Sequence, residues 1–240
     1  MKPSKVLITV SILAMAAMSS CLVSSLHPFF KEKDKKFDTN MLGNWIDGDS
    51  CIWTIHPNMA FVGFMEDDEP DGSYAITYYE ESDKKSFLKS TLFQLNGVDY
   101  VDFIPNPNED HCTSDMTTFH HIPVHTLARV QYCKDSILLY WYGDEWLNEL
   151  LEQNRIRIKH ETVPGFEYDR QVLTAPTDEL QKFIKKYAND PKTVEEIEQI
   201  FARGYTNDDE EEYGAFLKLK PYLGPLPEAK AKQVEPSINN

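Results

Sequence analysis

The chain reads SFLKSTLFQLNGVDYVDF over residues 86–103, and this stretch decides the fold. Its pattern predicts an antiparallel hairpin in which residues 87–95 pair with residues 98–103. Asn96 and Gly97 form the expected turn, because both residue types tolerate the positive φ angles of a type I′ turn, whose twist matches that of the paired strands. The centre of the chain is therefore expected to be antiparallel β-structure.

Short segments of alternating, β-branched and aromatic residues continue this pattern in both directions, with turns such as Asp47-Gly48, Asp71-Gly72 and Lys134-Asp135 between them. Nearly every connection is short, which favours a meander of sequential antiparallel strands. An up-and-down sheet of about eight to ten strands usually protects its edges by closing, so we predict a mainly β fold, an antiparallel up-and-down β-barrel. The predicted strands are residues 42–46, 51–56, 60–65, 73–80, 86–95, 98–104, 123–131, 136–142, 155–160 and 167–173.

Three helices are predicted to interrupt or follow the strands. Asp144 can cap the first and Thr177 the second, and Thr193 begins a capping box for the third. The second helix has an apolar stripe at positions i, i+3, i+4 and i+7, which must pack against another part of the protein. The stripe consists of Leu180, Phe183, Ile184 and Tyr187.

Leu42-Gly43-Asn44-Trp45 stands at the beginning of the predicted strands. It resembles the Gly-x-Trp motif that opens lipocalins and lipocalin-like barrels, in which the Trp plugs the closed end. The helix expected from Thr177 is similar in position to the helix that follows the barrel in that superfamily. The resemblance implies a lipocalin-like barrel with Trp45 at its closed end; otherwise Trp45 is a plain core residue.

The first 21 residues have the pattern of an export signal. Lys2 and Lys5 precede an apolar stretch at residues 6–18, followed by small residues and Cys21. A helix of this length covers only about 20 Å, which is too short to cross a hydrocarbon core of roughly 30 Å. The end of the stretch resembles a bacterial lipobox, with Met18 where Leu is most common, and predicts that residues 1–20 are removed and Cys21 is acylated. The alternative is ordinary cleavage after residues 14–16, which would leave a soluble protein.

The chain is strongly acidic, with a formal net charge of −15. Removing residues 1–20 takes away Lys2 and Lys5 and no acidic residue, which changes the charge to −17. Such a surface repels polyanions, so nucleic-acid binding is not expected. Anionic membrane surfaces are repelled as well, which leaves an acyl anchor as the main route to a bilayer.

The changes in composition divide the chain into four parts. Residues 1–20 are the predicted signal peptide, and residues 21–40, which lack periodicity, are a predicted tether. Residues 41–205 form the predicted barrel domain with its C-terminal helices. Residues 206–240 are acidic and then Pro-rich, and we predict a tail that docks through Phe216, Leu217 and Leu219.

The cysteines other than Cys21 are Cys51, Cys112 and Cys133. Three thiols allow at most one intramolecular disulfide, and the sequence does not choose among the three possible pairs. An exported protein enters an oxidising compartment, which favours one pair, whereas three unpaired buried thiols are the alternative.

The residues best suited to bind a metal are His111, Cys112, His120, His121 and His125. They lack C-x-x-C and H-E-x-x-H spacing, so ordinary hydrogen-bonding histidines are the favoured interpretation. The acidic loops lack EF-hand spacing and are expected to be solvated surface. No nucleophile-elbow, Walker or dinucleotide-binding motif occurs, so we predict neither enzymatic activity nor a cofactor.

Aromatic residues recur along the predicted strands at Trp53, Tyr74, Tyr78, Phe93, Tyr100, Trp141 and Tyr142. Inside a barrel such rings either fill the core or line a cavity for an apolar ligand. The candidate ligand-binding residues are therefore Trp45, Trp53, Tyr78, Phe93, Tyr100 and Trp141.

Four segments recur in a further resemblance: Cys21 with residues 24–29, and residues 42–45, 121–126 and 173–181. Together they make the whole chain resemble a set of uncharacterised cell-envelope lipoproteins of Bacteroides-type bacteria. Leu22 rather than Asp follows Cys21, which by resemblance to Gram-negative sorting implies the outer membrane. The resulting hypothesis is a non-enzymatic lipoprotein that binds a small apolar ligand or lipid, and the alternative is a structural or protein-interaction lipoprotein with a filled barrel.

Overall fold

A computed structural model describes residues 22–59, 70–80, 84–106, 122–164, 169–188 and 217–227. Within these ranges the chain forms eleven β-strands and two α-helices. The strands are β1 (Ser24–Ser25), β2 (Gly43–Ile46), β3 (Ile52–Met59), β4 (Pro70–Tyr79), β5 (Lys85–Leu95), β6 (Val98–Pro105), β7 (His125–Cys133), β8 (Ser136–Trp141), β9 (His160–Val163), β10 (Arg170–Leu173) and β11 (Leu217–Pro221). The helices are α1 (Asp144–Glu152) and α2 (Thr177–Phe183), and a π-helical turn (Ile184–Ala188) continues α2.

Eight of the described strands form a closed antiparallel barrel. Strands β2 to β8 pair in chain order, each with the next, and β11 lies between β8 and β2 and closes the ring. Strands make up 51% of the structure and helices 17%, which confirms the predicted mainly β fold. The up-and-down connectivity and the two short helices after the strands were also predicted.

The β5–β6 hairpin has the register expected from the sequence. Leu95 pairs with Val98, and the ladder continues as far as Leu88 and Pro105. Asn96 has φ 51° and Gly97 has φ 82°, so both turn residues adopt the left-handed conformation that a type I′ turn requires.

The barrel strands are strongly staggered. Trp45 pairs with Trp53, Trp53 pairs with Tyr78, and Tyr78 pairs with Ser86 at the beginning of β5. In the other direction Trp45 pairs with Pro221, the last residue of β11. Following these registers once round the ring gives a stagger of about 12 residues. Because diameter rises with stagger, this barrel is wider than an eight-stranded (β/α) barrel, whose stagger is about 8 and whose interior is packed.

Both faces of the barrel wall are apolar over strands β5 to β8. The inner cluster contains Leu92, Val101 and Ile137, and the outer cluster contains Phe93 and Tyr100. The outer cluster is covered by the helical layer, which contributes Trp146, Leu147, Leu150, Leu180, Phe183, Ile184 and Ala188. The helix from Thr177 therefore buries its apolar stripe against the outer wall. No helix in the described ranges is long and apolar enough to cross a membrane.

A small sheet extends from the first residues of β7. Strand β1 pairs antiparallel with His125 and Thr126, β10 pairs parallel with β1, and β9 forms the outer edge. This sheet begins beside the point where β8 ends, because Leu22 bridges to Gly143. The N-terminal segment is therefore part of the fold from its first described residue.

The ends of the chain differ from the expected tether and tail. Within residues 22–40, Val23 and Phe29 are fully buried, and β1 belongs to the sheet. Within the expected tail, residues 217–221 form β11, which donates the fully buried Leu219 to the barrel interior. The composition of these two segments suggests solvated chain, but β1 and β11 both belong to the folded structure.

Three local predictions are corrected. Residues 155–160 do not form a strand, because β9 begins at His160, although Ile156 and Ile158 are buried. Pro176 rather than Thr177 is the N-cap of α2, and the Thr177 hydroxyl donates to the Pro28 carbonyl over 2.8 Å. Gly143 rather than Asp144 is the N-cap of α1. The predicted strand at 60–65 and the helix from Thr193 lie outside the described residues.

Candidate ligand-binding site

The two ends of the barrel differ in the residues that they carry. We call the end with the Asn96-Gly97 turn the closed end, and the end with the β2–β3 connection at residues 47–51 the aromatic end. The N-terminal segment crosses the closed end, where Lys36 N donates to Leu92 O over 2.9 Å and Lys36 Nζ pairs with Asp99 over 2.8 Å. Met41 then enters the interior and is 1% exposed. This end of the barrel is sealed by the chain itself.

Trp45 braces this seal. Its indole Nε1 donates to the Met41 carbonyl over 3.1 Å, and Gly43 between them has φ 127°, a conformation that favours glycine. Phe37 stacks on Tyr74 with ring centroids 4.9 Å apart. The Tyr74 hydroxyl donates to one backbone group of Asp38 and accepts from another, and burial raises the pKa of Tyr74 to about 12. Trp45 therefore lies on the inner face next to Met41, near the end that the N-terminal segment crosses.

One wall of the aromatic end is fixed by Asp47. Its Oδ2 accepts from the indole Nε1 of Trp53 over 2.9 Å, and its Oδ1 accepts from the backbone N of Cys51 over 2.8 Å. Trp53 in turn meets Tyr78 edge to face, with ring centroids 4.9 Å apart. The carboxylate thus holds the turn and orients an aromatic pair on the inner face of the barrel.

The opposite wall carries a second aromatic pair. Phe103 and Trp141 have ring centroids 4.7 Å apart, and both belong to the inner cluster. The inner cluster at this end contains the buried rings of Trp53 and Phe103 together with partly buried side chains, whereas Ile55 and Leu92 in the middle of the barrel are fully buried. Leu42, Trp45 and Tyr132, nearer the closed end, are partly buried as well. The partly buried members at the aromatic end are Tyr78, Leu88, Trp141 and Leu217.

The Ser90 hydroxyl is a polar group beside these rings. Ser90 is on the inner face, because its ladder neighbours Tyr74 and Phe103 both belong to the inner cluster. The residue is 1% exposed, and its Oγ has no hydrogen-bond partner among the described residues. An unpaired buried hydroxyl costs about 1–3 kcal/mol, so Ser90 can gain free energy by bonding a polar atom in the interior.

The described thiols do not form a disulfide. Cys51 is a buried free thiol near the aromatic end, and Cys133 is an exposed free thiol at the closed end. Burial raises the pKa of the Cys51 thiol, although its hydrogen bond with Tyr78 lowers it. A raised pKa keeps the thiol protonated and unreactive at neutral pH. Cys112 lies outside the described residues.

The six predicted ligand-binding residues separate into two groups. Trp45, Trp53, Tyr78 and Trp141 lie in the barrel interior. Phe93 and Tyr100 do not: they stack on each other on the outer wall with centroids 5.6 Å apart, beneath the helical layer. These two residues therefore form structural core. Phe103 and Ser90 belong to the aromatic end and were not singled out; their inner-face positions follow from the alternation with Val101 and Leu92.

Of the histidine group, only His125 is described; His111, Cys112, His120 and His121 lie outside the described residues. His125 Nδ1 is 2.7 Å from Oδ1 of the buried Asp102, which makes it a hydrogen-bonded histidine. In the described ranges no three His, Cys, Asp or Glu side chains are grouped as a metal site.

The fold and the aromatic end together define a class of structure. It is a closed up-and-down β-barrel in which the N-terminal segment covers one end and aromatic side chains line the other. No protein-family model, curated protein or solved structure matches the chain. Its function must therefore be argued from the barrel itself.

Proposed function

We propose that this protein is a lipid-anchored cell-envelope protein that binds a small apolar ligand at the aromatic end of its barrel. The observation that carries the ligand proposal is the asymmetry of the interior. One end carries two inner-face aromatic pairs and the unpaired Ser90 hydroxyl, whereas the N-terminal segment crosses the other end and places Met41 in the interior. An eight-stranded barrel of wide stagger can hold one small ligand, and apolar sites with few polar groups suit apolar molecules.

A substitution that blocks the aromatic end of the barrel tests this proposal. Ser86 is exposed and lies directly opposite Tyr78 on the same face of the ladder. We expect Ser86→Trp to place an indole over the aromatic end and to weaken binding of the neutral fluorescent probe N-phenyl-1-naphthylamine at least fivefold. Fluorescence titration of the purified protein measures this change.

The matched control is Lys85→Trp, because Lys85 is the exposed neighbour of Ser86 on the outer face of β5. It should leave the probe's affinity within twofold of the wild-type value. Probe binding that is absent from the wild type, or equal losses in the two variants, would favour a filled barrel with a structural or interaction role.

The anchor is proposed on the sequence of residues 1–21, with Cys21 as the acylated residue and the outer membrane as the location. Intact mass spectrometry of the protein purified from membranes should give the chain from Cys21 plus a diacylglyceryl group and an N-acyl chain. Cys21→Ala should remove the added mass and release the protein from the membrane fraction. An unmodified Cys21 in a mature, membrane-free protein would contradict the anchor.

A further inference from the structure

The residue next to the proposed anchor is attached to the aromatic end of the barrel. Leu22 forms an antiparallel bridge with Gly143. Gly143 lies two residues after Trp141, whose ring lines the aromatic end. One peptide unit spans about 3.8 Å, and paired backbones lie about 5 Å apart. An acyl group on Cys21 would therefore leave the chain within roughly 15 Å of Trp141.

The segment after the anchor has no slack. Val23 N donates to Tyr142 O over 2.8 Å, and the Val23 side chain is 1% exposed. Ser25 is completely buried in β1, and its Oγ donates to Leu173 O. A lipid at Cys21 would thus hold the folded domain itself at the membrane, since the segment that follows is built into the sheet.

The closed end is on the far side of the molecule. Its exposed turn at Lys134-Asp135 is separated from the aromatic end by the length of the barrel, roughly 20 Å for tilted strands of this length. A bilayer at Cys21 therefore approaches the aromatic end and stays away from the sealed one.

From this geometry we infer that the aromatic end lies at the bilayer surface and that the ligand is a membrane amphiphile with an apolar tail and one polar group. The inference rests on the anchor and ligand site proposed above, and adds their relative orientation and the source of the ligand. An amphiphile leaving the bilayer head first brings its polar group to the Ser90 hydroxyl. Its tail then contacts Phe103, Trp141 and Leu217 near the membrane.

The orientation is tested by photo-crosslinking in phosphatidylcholine vesicles. The full lipidated protein carries p-benzoylphenylalanine either at Ser86, at the aromatic end, or at Lys134, at the closed end; both positions are exposed. We expect at least fivefold more crosslinking to phospholipid from Ser86 than from Lys134. Cys21→Ala versions of both proteins should give little crosslinking, because they lack the anchor.

The ligand class is tested with Ser90→Ala. This variant should weaken binding of a long-chain alcohol that carries a fluorophore on its tail about fivefold, because the hydrogen bond to the alcohol's hydroxyl group is lost. The change in affinity for N-phenyl-1-naphthylamine should be at least threefold smaller, because the weakly polar amine of that probe gains little from the bond. Equal changes for the two probes would overturn the role of Ser90 as the polar contact.

These outcomes test the orientation at the membrane and the ligand function separately. Equal or greater crosslinking from Lys134 would overturn the orientation even if probe binding to the barrel persists. Crosslinking from Ser86 without any probe binding would support the orientation and overturn the ligand function. An absence of crosslinking together with an unacylated Cys21 would overturn the anchor and, with it, this inference.

Discussion

Leu219→Ala is expected to lower the free energy of unfolding by about 2–4 kcal/mol, the cost of emptying a buried leucine site. Leu219 is completely buried in the inner cluster, and its strand β11 joins β8 to β2. Without β11 the two neighbouring strands would become edges of an open sheet, and the interior would lose part of its wall. The effect should therefore be that of a core residue.

Denaturant unfolding followed by tryptophan fluorescence measures this loss. Lys220→Ala is the matched control, because Lys220 is exposed and adjacent on the same strand, and it should change the unfolding free energy by less than about 0.5 kcal/mol. If residues 217–221 were a solvated tail, the two variants would be equally neutral.

The sequence predicts the barrel well where alternation and turn chemistry coincide. The hairpin at Asn96-Gly97 is the clearest case, since the turn sets the register and the register sets which residues share a face. The short connections between neighbouring strands then leave sequential antiparallel pairing as the natural topology. Closure of such a meander follows from the need to cover its edges.

The sequence does not reveal the strands that are too short to show a period. Strand β11 contributes one fully buried side chain, Leu219, between exposed lysines, and β1 has only two residues. Their place is determined by the partners they meet, which are separated from them by long stretches of chain. Composition alone makes both segments resemble solvated tails.

Alternation also does not distinguish the inside of a barrel from a covered outer wall. Phe93 and Leu92 are both completely buried neighbours on β5, because the barrel interior covers one and the helical layer covers the other. A strand buried on both faces is apolar at successive positions. For this reason Phe93 and Tyr100 were grouped with the interior aromatics although they face outwards.

The buried carboxylate of Asp102 joins three parts of the outer core. Asp102 on β6 is 1% exposed, and its Oδ1 lies 2.7 Å from Nδ1 of His125 on β7. Its Oδ2 accepts from the backbone N of Phe29 over 2.8 Å. Burial raises the pKa of Asp102, and the hydrogen bonds from His125 and Phe29 oppose that increase. The hydrogen bond from His125 therefore stabilises the ionised carboxylate in the core.

His125→Ala is expected to destabilise the protein by about 3 kcal/mol at pH 7, because it leaves a buried carboxylate without its main partner. His56→Ala is the control, since His56 is exposed on β3, and it should change stability by less than about 0.5 kcal/mol. Chemical denaturation measures both variants. A loss below about 1 kcal/mol for His125→Ala would mean that Asp102 is compensated in another way.

The double variant Asp102→Asn/His125→Ala distinguishes a lost charge partner from a simple cavity. A neutral amide is cheaper to bury and can still accept from Phe29 N, so the double variant should recover about 1–2 kcal/mol relative to His125→Ala at pH 7. A carboxyl whose folded pKa is raised is penalised above that pKa, and the penalty disappears as the pH falls through it. The unfolding free energies of His125→Ala and of Asp102→Asn/His125→Ala should therefore converge as the pH falls from 7 towards 4. If the difference in unfolding free energy between these two variants stays constant with pH, or if the double variant is no more stable than His125→Ala, the effect of His125 is due to packing alone.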